Sequence, residues 1–187
     1  MTSGKRDYSH YLQGENLANE LVAWDSEGAL RQHRVVASLL DRLAEEEGLE
    51  SASILEFGYG NGWLSRCLPE RFSRYVGADS NLRCQDVAIS KRRTSRNILF
   101  LIGDIRSFTV PGPWDVVASI SFLKHFELDE WDDILKRFLS CGFRGFFEMQ
   151  VGPEDREGDS PEYAQVWVSR PRLEAAVVAA GHEILWS

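Results

Sequence analysis

Residues 54 to 62 combine an apolar run, an acid and three alternating glycines, in the order Ile-Leu-Glu-Phe-Gly-Tyr-Gly-Asn-Gly. The apolar run predicts a buried strand, and Gly58, Gly60 and Gly62 predict a sharp turn at which the backbone can approach a ligand closely. A helix starting after such a turn would direct free N–H groups at that ligand. A dinucleotide site would need G-x-G-x-x-G and a small residue where this chain has Trp63. The spacing favours a cofactor loop over an ordinary turn and argues against NAD or FAD.

Carboxylates follow the apolar runs downstream of this loop. Asp79 closes the run Tyr-Val-Gly-Ala-Asp, about 20 positions after the loop, which is the interval expected of a ribose-binding acid. Asp104 closes a third apolar run, and Glu56 belongs to the first. The carboxyl ends of parallel strands meet at one edge of a sheet, so we expect the three acids to line one pocket.

In this order the motifs resemble those of the class I S-adenosylmethionine-dependent methyltransferases, over roughly residues 35 to 186. The resemblance implies that the glycine loop and Glu56 hold the methionine part of S-adenosylmethionine, that Asp79 binds the ribose, and that Asp104 with the Ile105 amide binds adenine. The product would be S-adenosylhomocysteine. The implied cofactor-binding residues are Glu56, Gly58, Tyr59, Gly60, Gly62, Asp79, Ser80, Asp104, Ile105 and Ser119.

One position departs from the family pattern. The family usually has an apolar residue directly after the ribose acid, where it packs on adenine, whereas this chain has Ser80 and Asn81. We expect Ile105, Phe108 or Leu82 to supply that contact instead.

Methyl transfer from a sulfonium depends mainly on aligning the nucleophile with the methyl carbon, and a base is needed only if the nucleophile carries a proton. His125 is the candidate base, because an imidazole can accept a proton near neutral pH. A structural role for His125 is the alternative. Glu148 and Gln150 could orient a substrate. The scattered remaining histidines and widely spaced cysteines predict no metal site.

The net charge of −8 argues against a nucleic-acid substrate, because nucleic-acid binding requires basic side chains that neutralise phosphates. The cluster Lys91-Arg92-Arg93 is interpreted as a solvated face. After the fourth apolar run the chain reads Ser119-Ile120-Ser121-Phe122 rather than the Asn/Asp-Pro-Pro-aromatic motif of base and glutamine methyltransferases. We therefore predict a small-molecule acceptor with an oxygen or nitrogen nucleophile.

Aromatic residues near the start of the chain are candidates for the acceptor pocket. Tyr8, Tyr11 and Trp24, with Gln150, are the predicted substrate-binding residues, and the polar stretch from 153 to 161 predicts a loop or lid. Ordinary packing of an N-terminal helix is the alternative for the three aromatic side chains.

The order of elements predicts an α/β fold with a doubly wound, mainly parallel Rossmann-like sheet. Residues 1–48 are expected to form an N-terminal helical cap and 49–187 the cofactor-binding domain, as one globular unit. Helices are predicted at 15–24, 29–47, 62–68, 129–139 and 171–180. Strands are predicted in the apolar runs at residues 54, 75, 98, 114 and 145, and at 182–186. The family's last antiparallel strand is expected to be missing or truncated.

The polar N-terminus and the absence of a long apolar run predict a cytoplasmic protein without a membrane partner. Monomer and homodimer both remain open. The alternative functions are a protein that keeps the S-adenosylmethionine-binding fold without methyl transfer, and a methyltransferase acting on protein or RNA.

Overall fold

A five-stranded parallel sheet forms the centre of the computed structural model, which describes residues 27–91, 97–158 and 165–184. Its strands lie in the order β3-β2-β1-β4-β5, and each neighbouring pair is parallel. The strand order reverses between β1 and β4, so a ligand crevice is expected at their carboxyl ends. The strands are β1 Ser53–Phe57, β2 Arg74–Asp79, β3 Asn97–Ile102, β4 Trp114–Ile120 and β5 Gly142–Glu148.

The strand register aligns the ends that carry the candidate residues. Phe57 pairs with Ala78 on one side and with Ser119 on the other, and Asp79 pairs with Ile102. The side chains of β1 alternate between the two faces, with Ile54 in one core cluster and Leu55 in the other. A strand buried on both faces reads as a continuous apolar run, which is why the sequence identified it.

Helices cover both faces of the sheet. The first three helices pack Leu40, Leu64 and Ala88 on one face, whereas the last two helices pack Phe138 and Val177 on the other. These layers confirm the predicted doubly wound fold. No helix within the described residues is long and apolar enough to cross a membrane. The helices are α1 Glu27–Glu46, α2 Trp63–Cys67, α3 Leu82–Lys91, a 3-10 helix at Leu123–His125, α4 Trp131–Leu139 and α5 Arg170–Ala179.

A small second sheet follows β5, in the order β6-β8-β7. Its strands are β6 Val151–Gly152, β7 Arg156–Glu157 and β8 Val166–Ser169. The segment predicted as a loop at 153–161 therefore contains a strand in its described part. Strand β8, which we did not predict, has an alternating pattern with Val166 and Val168 buried against the core.

The strand predicted at 182–186 is wrong for residues 182–184, which have no regular structure. Gly181 has φ +84°, and the His182 amide donates to the Val177 carbonyl, so the chain is still closing the end of α5 at this point. Residues 185–186, the helix predicted at 15–24, Arg92 and Arg93 lie outside the described residues.

Candidate functional site

The glycine loop connects β1 to α2 in a left-handed backbone conformation. Gly58, Gly60 and Gly62 have φ values of +76°, +48° and +70°, which L side chains adopt only at a cost. A Cβ at Gly58 would lie 2.4 Å from the Phe122 ring, so the loop packs closely on the segment after β4. A Cβ at Gly60 would meet nothing within 4 Å. The loop is therefore packed at its start and open at its centre, which leaves space for a ligand against the backbone of Gly60.

Asp79 ends β2 directly beside this loop. One carboxylate oxygen accepts a hydrogen bond from the Gly60 amide (3.0 Å) and the other from the Asn81 amide (2.9 Å). Burial raises the pKa of Asp79, and these two amide bonds act in the opposite direction. Each carboxylate oxygen keeps a further lone pair, so the group can also accept hydrogen bonds from a sugar diol. This arrangement fits the ribose role that the resemblance implies.

Glu56 lies beneath the loop rather than on its surface. Its side chain is 1% exposed and accepts a hydrogen bond from the Tyr75 hydroxyl. Burial raises the pKa of Glu56 to about 8, with the Tyr75 hydrogen bond lowering the pKa and the Asp79 charge raising it. A nearby cation would favour the ionised form, and S-adenosylmethionine carries both an ammonium and a sulfonium.

Two other predicted residues of the cofactor site are buried. Tyr59 is 2% exposed, and its ring packs on Phe100 with centroids 4.9 Å apart, so its side chain belongs to the core. Ser119 is fully buried at the end of β4. The hydroxyls of Tyr59 and Ser119 have no hydrogen-bond partner among the described residues.

The third acid, Asp104, follows β3 and is 41% exposed. Its carboxylate accepts hydrogen bonds from the backbone amide of Arg106 (2.8 Å) and from Nη1 of the same residue (3.1 Å). Arg106 also makes a two-bond contact with Glu130, at 2.9 and 2.6 Å, and the Glu130 bond is the main cause of the raised pKa of Arg106. Arg106 thus fixes the orientation of Asp104, a role that the sequence analysis missed.

The residues proposed to pack on adenine have different environments. Leu82, the first residue of α3, is 63% exposed, whereas Ile105 is 1% exposed and belongs to the core. The Phe108 ring lies against Gly103, where a Cβ would come within 2.2 Å. Leu82 is therefore the most exposed of the three side chains, and the Ile105 side chain is not open to a ligand. Ser80 is exposed at the same edge.

The predicted catalytic and substrate-binding residues are only partly described. His125 is half-buried in the 3-10 helix after β4, and its amide donates to the Phe122 carbonyl (3.0 Å). Gln150 is exposed beyond β5. Tyr8, Tyr11 and Trp24 lie outside the described residues. Within 27–91, 97–158 and 165–184, no group of three His, Cys, Asp or Glu side chains is placed to hold a metal ion.

Residues 54–141 match the family model of a methyltransferase domain. No curated protein matches the chain. Three solved structures with similar folds are a magnesium protoporphyrin IX methyltransferase from Synechocystis, a 1,6-didemethyltoxoflavin-N1-methyltransferase from Burkholderia thailandensis, and an amino pentose methyltransferase from Micromonospora echinaspora.

The similarity to these structures lies in the fold far more than in the sequence. The Synechocystis enzyme, with S-adenosylmethionine bound, has a TM-score of 0.75 at 15% identity and covers 96% of this chain and 88% of its own. The Burkholderia enzyme has a TM-score of 0.64 at 17% identity (88% and 72% covered), and the Micromonospora enzyme 0.67 at 15% (88% of each). The shared fold confirms the predicted fold class, and the domain match supports the predicted family.

Proposed function

We propose that this chain is an S-adenosylmethionine-dependent methyltransferase that transfers the methyl group to an oxygen or nitrogen atom of a small-molecule acceptor. The observation that carries the cofactor half is the convergence of the glycine loop and Asp79, which share a hydrogen bond of 3.0 Å at the carboxyl edge of the sheet. The open space at Gly60 fits a ligand that lies directly on the backbone.

The small-molecule acceptor is supported by charge and by the similar structures. The net charge of −8 opposes a polyanionic substrate. The Burkholderia structure contains bound 1,6-didemethyltoxoflavin, and the Micromonospora enzyme is described as acting on an amino pentose. We expect a cytoplasmic protein, monomeric or homodimeric, that acts without a nucleic-acid or membrane partner.

The proposed mechanism assigns binding and alignment to this chain. The bound cofactor supplies a methyl carbon on a sulfonium whose leaving group is already activated. Asp79 would accept hydrogen bonds from the ribose, Asp104 and the Ile105 amide would bind adenine, and Glu56 would provide negative charge beneath the methionine part. His125 accepts the proton that a hydroxyl or amine nucleophile loses as its new bond to carbon forms. Tyr8, Tyr11, Trp24 and Gln150 are proposed to contact the acceptor.

Methyl transfer to different classes of cell material tests this proposal. The protein is incubated with methyl-labelled S-adenosylmethionine and separate pools of metabolites, protein and RNA, and Asp79→Asn serves as the variant with impaired cofactor binding. Label should enter the metabolite pool with the wild type and fall sharply with the variant. Label entering only protein or RNA would contradict the small-molecule acceptor. Binding of S-adenosylhomocysteine with no labelled product in any pool would favour a protein that keeps the fold without methyl transfer.

A further inference from the structure

Ser121 joins three elements at the carboxyl edge of the sheet. It has φ +54°, an unusual value for a residue other than glycine, and its amide donates to the Glu148 carbonyl (3.1 Å). The Ser121 hydroxyl donates to Glu148 Oε2 (2.6 Å) and accepts a hydrogen bond from Gln32 Nε2 (3.4 Å). The first half of α1, the turn after β4 and the end of β5 therefore meet at one polar cluster.

His33 follows Gln32 on α1 and has a fixed tautomer. Its Nδ1 lies 2.7 Å from the Ala29 carbonyl, and a carbonyl only accepts hydrogen bonds, so Nδ1 carries the hydrogen. Burial lowers the pKa of His33, which favours the neutral ring at neutral pH. The Nε2 atom is then a hydrogen-bond acceptor. Both Glu148 and Arg66 are close enough to influence the ring electrostatically.

Lys124 lies in the 3-10 helix, three positions after Ser121, and is half-buried. Among the described residues, its ammonium makes no hydrogen bond or ion pair. Burial lowers the pKa of Lys124, and the Glu148 charge acts in the opposite direction. A half-buried ammonium without a hydrogen-bonded partner is unfavourable, and an anionic ligand group would compensate it.

This cluster adjoins the cofactor loop. Phe122, the residue between Ser121 and the 3-10 helix, packs directly on Gly58. Glu148 ends β5, the strand next to β4, on the side of the crevice away from Asp79. The cluster therefore lies beside the loop, on the side away from the predicted ribose and adenine residues. An acceptor could approach the cofactor's methyl group from this side.

We propose that Lys124, Glu148 and His33 form the acceptor subsite and that it takes a small organic acid bearing a hydroxyl or amine. The acceptor's carboxylate would pair with Lys124, and an O–H or N–H hydrogen other than the one lost in methyl transfer would donate to Glu148 or to Nε2 of His33. This assigns binding and orientation to the cluster, whereas proton removal at the reacting atom stays with His125. The inference rests on the proposed function, because it names the acceptor class of that same site.

The opposite charges of Lys124 and Glu148 make the subsite selective among acceptors. A ligand with only an alcohol leaves the Lys124 ammonium unpaired, and a ligand with only a carboxylate brings like charge towards Glu148 without donating to it. A ligand that carries both groups satisfies each side. Charge-assisted hydrogen bonds are stronger than neutral ones, so the carboxylate should increase affinity by roughly 10-fold or more.

Matched pairs of small probes test this inference by ligand-observed NMR in the presence of S-adenosylhomocysteine. The pairs are 3-hydroxybenzoate with phenol and 3-hydroxybutyrate with butan-2-ol, and the members differ in the carboxylate. In the wild type the acid of at least one pair should bind roughly 10-fold more tightly than its neutral partner. Lys124→Gln should abolish that preference, whereas Lys136→Gln, which removes an exposed lysine of α4, should retain it. Glu148→Gln should weaken the acid less than Lys124→Gln does.

The cofactor provides the internal control. Each variant should retain the wild-type affinity for S-adenosylhomocysteine and the wild-type circular dichroism, which excludes misfolding as the cause of any loss. Equal binding of acid and neutral probe, no binding of any probe, or a preference that survives Lys124→Gln would overturn the subsite. If S-adenosylhomocysteine itself does not bind, the proposed function fails. If metabolites are methylated but carboxylates give no advantage, only the subsite is wrong.

Discussion

Cofactor binding should release a proton from Glu56. The carboxyl group is buried with a pKa of about 8, so at pH 7 it is protonated in about 0.9 of the free molecules. The cofactor's ammonium, if it lies about 5 Å away at an effective dielectric constant of about 20, would stabilise the ionised form by about 3 kcal/mol. That interaction would lower the pKa to about 6. The carboxyl would then lose about 0.8 proton for each cofactor bound.

Isothermal titration calorimetry measures this proton directly. The observed enthalpy of S-adenosylhomocysteine binding is plotted against the ionisation enthalpy of several buffers at pH 7, and the slope is the number of protons exchanged. The wild type should release about 0.8 proton more than Glu56→Gln, which cannot ionise. Tyr75→Phe removes the hydrogen bond that stabilises the ionised carboxylate, so affinity at pH 7 should fall. A wild-type slope equal to that of Glu56→Gln would refute the reasoning.

The same carboxyl predicts how stability of the free protein depends on pH. The folded-state pKa of about 8 lies above the ordinary value of 4.5, so the folded state binds more protons than the unfolded state between these values. Stability should therefore fall as pH rises from about 5 to 8, by up to about 1.4 kcal/mol for each pH unit from this group. Thermal unfolding of Glu56→Gln should show a flatter dependence, and an identical dependence would count against the raised pKa.

Five further substitutions, two of them controls, separate cofactor binding from folding. Gly60→Ala and Gly181→Ala both place a side chain at positive φ with open space around it, so each should lower the melting temperature by about 2–4 °C. Only Gly60→Ala should also reduce S-adenosylhomocysteine affinity, by roughly 10-fold or more. Asp79→Asn should weaken binding by roughly 10- to 100-fold, whereas Asp115→Asn, which alters hydrogen bonds at the start of β1, should reduce stability without changing affinity. Arg106→Gln removes the link between the Asp104 and Glu130 carboxylates, so it should lower the unfolding free energy by about 1–2 kcal/mol and reduce cofactor affinity modestly. Chemical denaturation measures the stability and calorimetry measures the affinity. Unchanged stability would argue against the bridging role of Arg106.

The convergence of the glycine loop and Asp79 could be predicted from the sequence because the loop follows one buried strand and Asp79 ends another. The apolar runs identify the strands, and the residues after them must lie at one edge of a parallel sheet. Gly60 and Asp79 are therefore close in space for reasons that are visible in the chain. The small sheet after β5 was missed because β6 and β7 are only two residues long and have no measurable periodicity.

Buried polar contacts were harder to predict. The resemblance implies a cofactor role for Glu56, but its burial and its bond to Tyr75 depend on the pairing of β1 with β2. The bridge from Asp104 to Glu130 through Arg106 joins residues on either side of β4. No local pattern distinguishes such a bridging arginine from one on a solvated face.

The acceptor half depends on contacts that are still more distant in the chain. The Gln32 to Ser121 bond spans 89 positions and the Ser121 to Glu148 bond spans 27, so three elements must be in place before the cluster exists. Lys124 and His33 lie on the 3-10 helix and on α1, outside the glycine loop and β2. Substitution at Lys124 or His33 can therefore alter acceptor recognition while the glycine loop and Asp79 stay unchanged. This separation is why the fold and the cofactor follow from the sequence, whereas the acceptor class has to be inferred from the charges that the fold brings together.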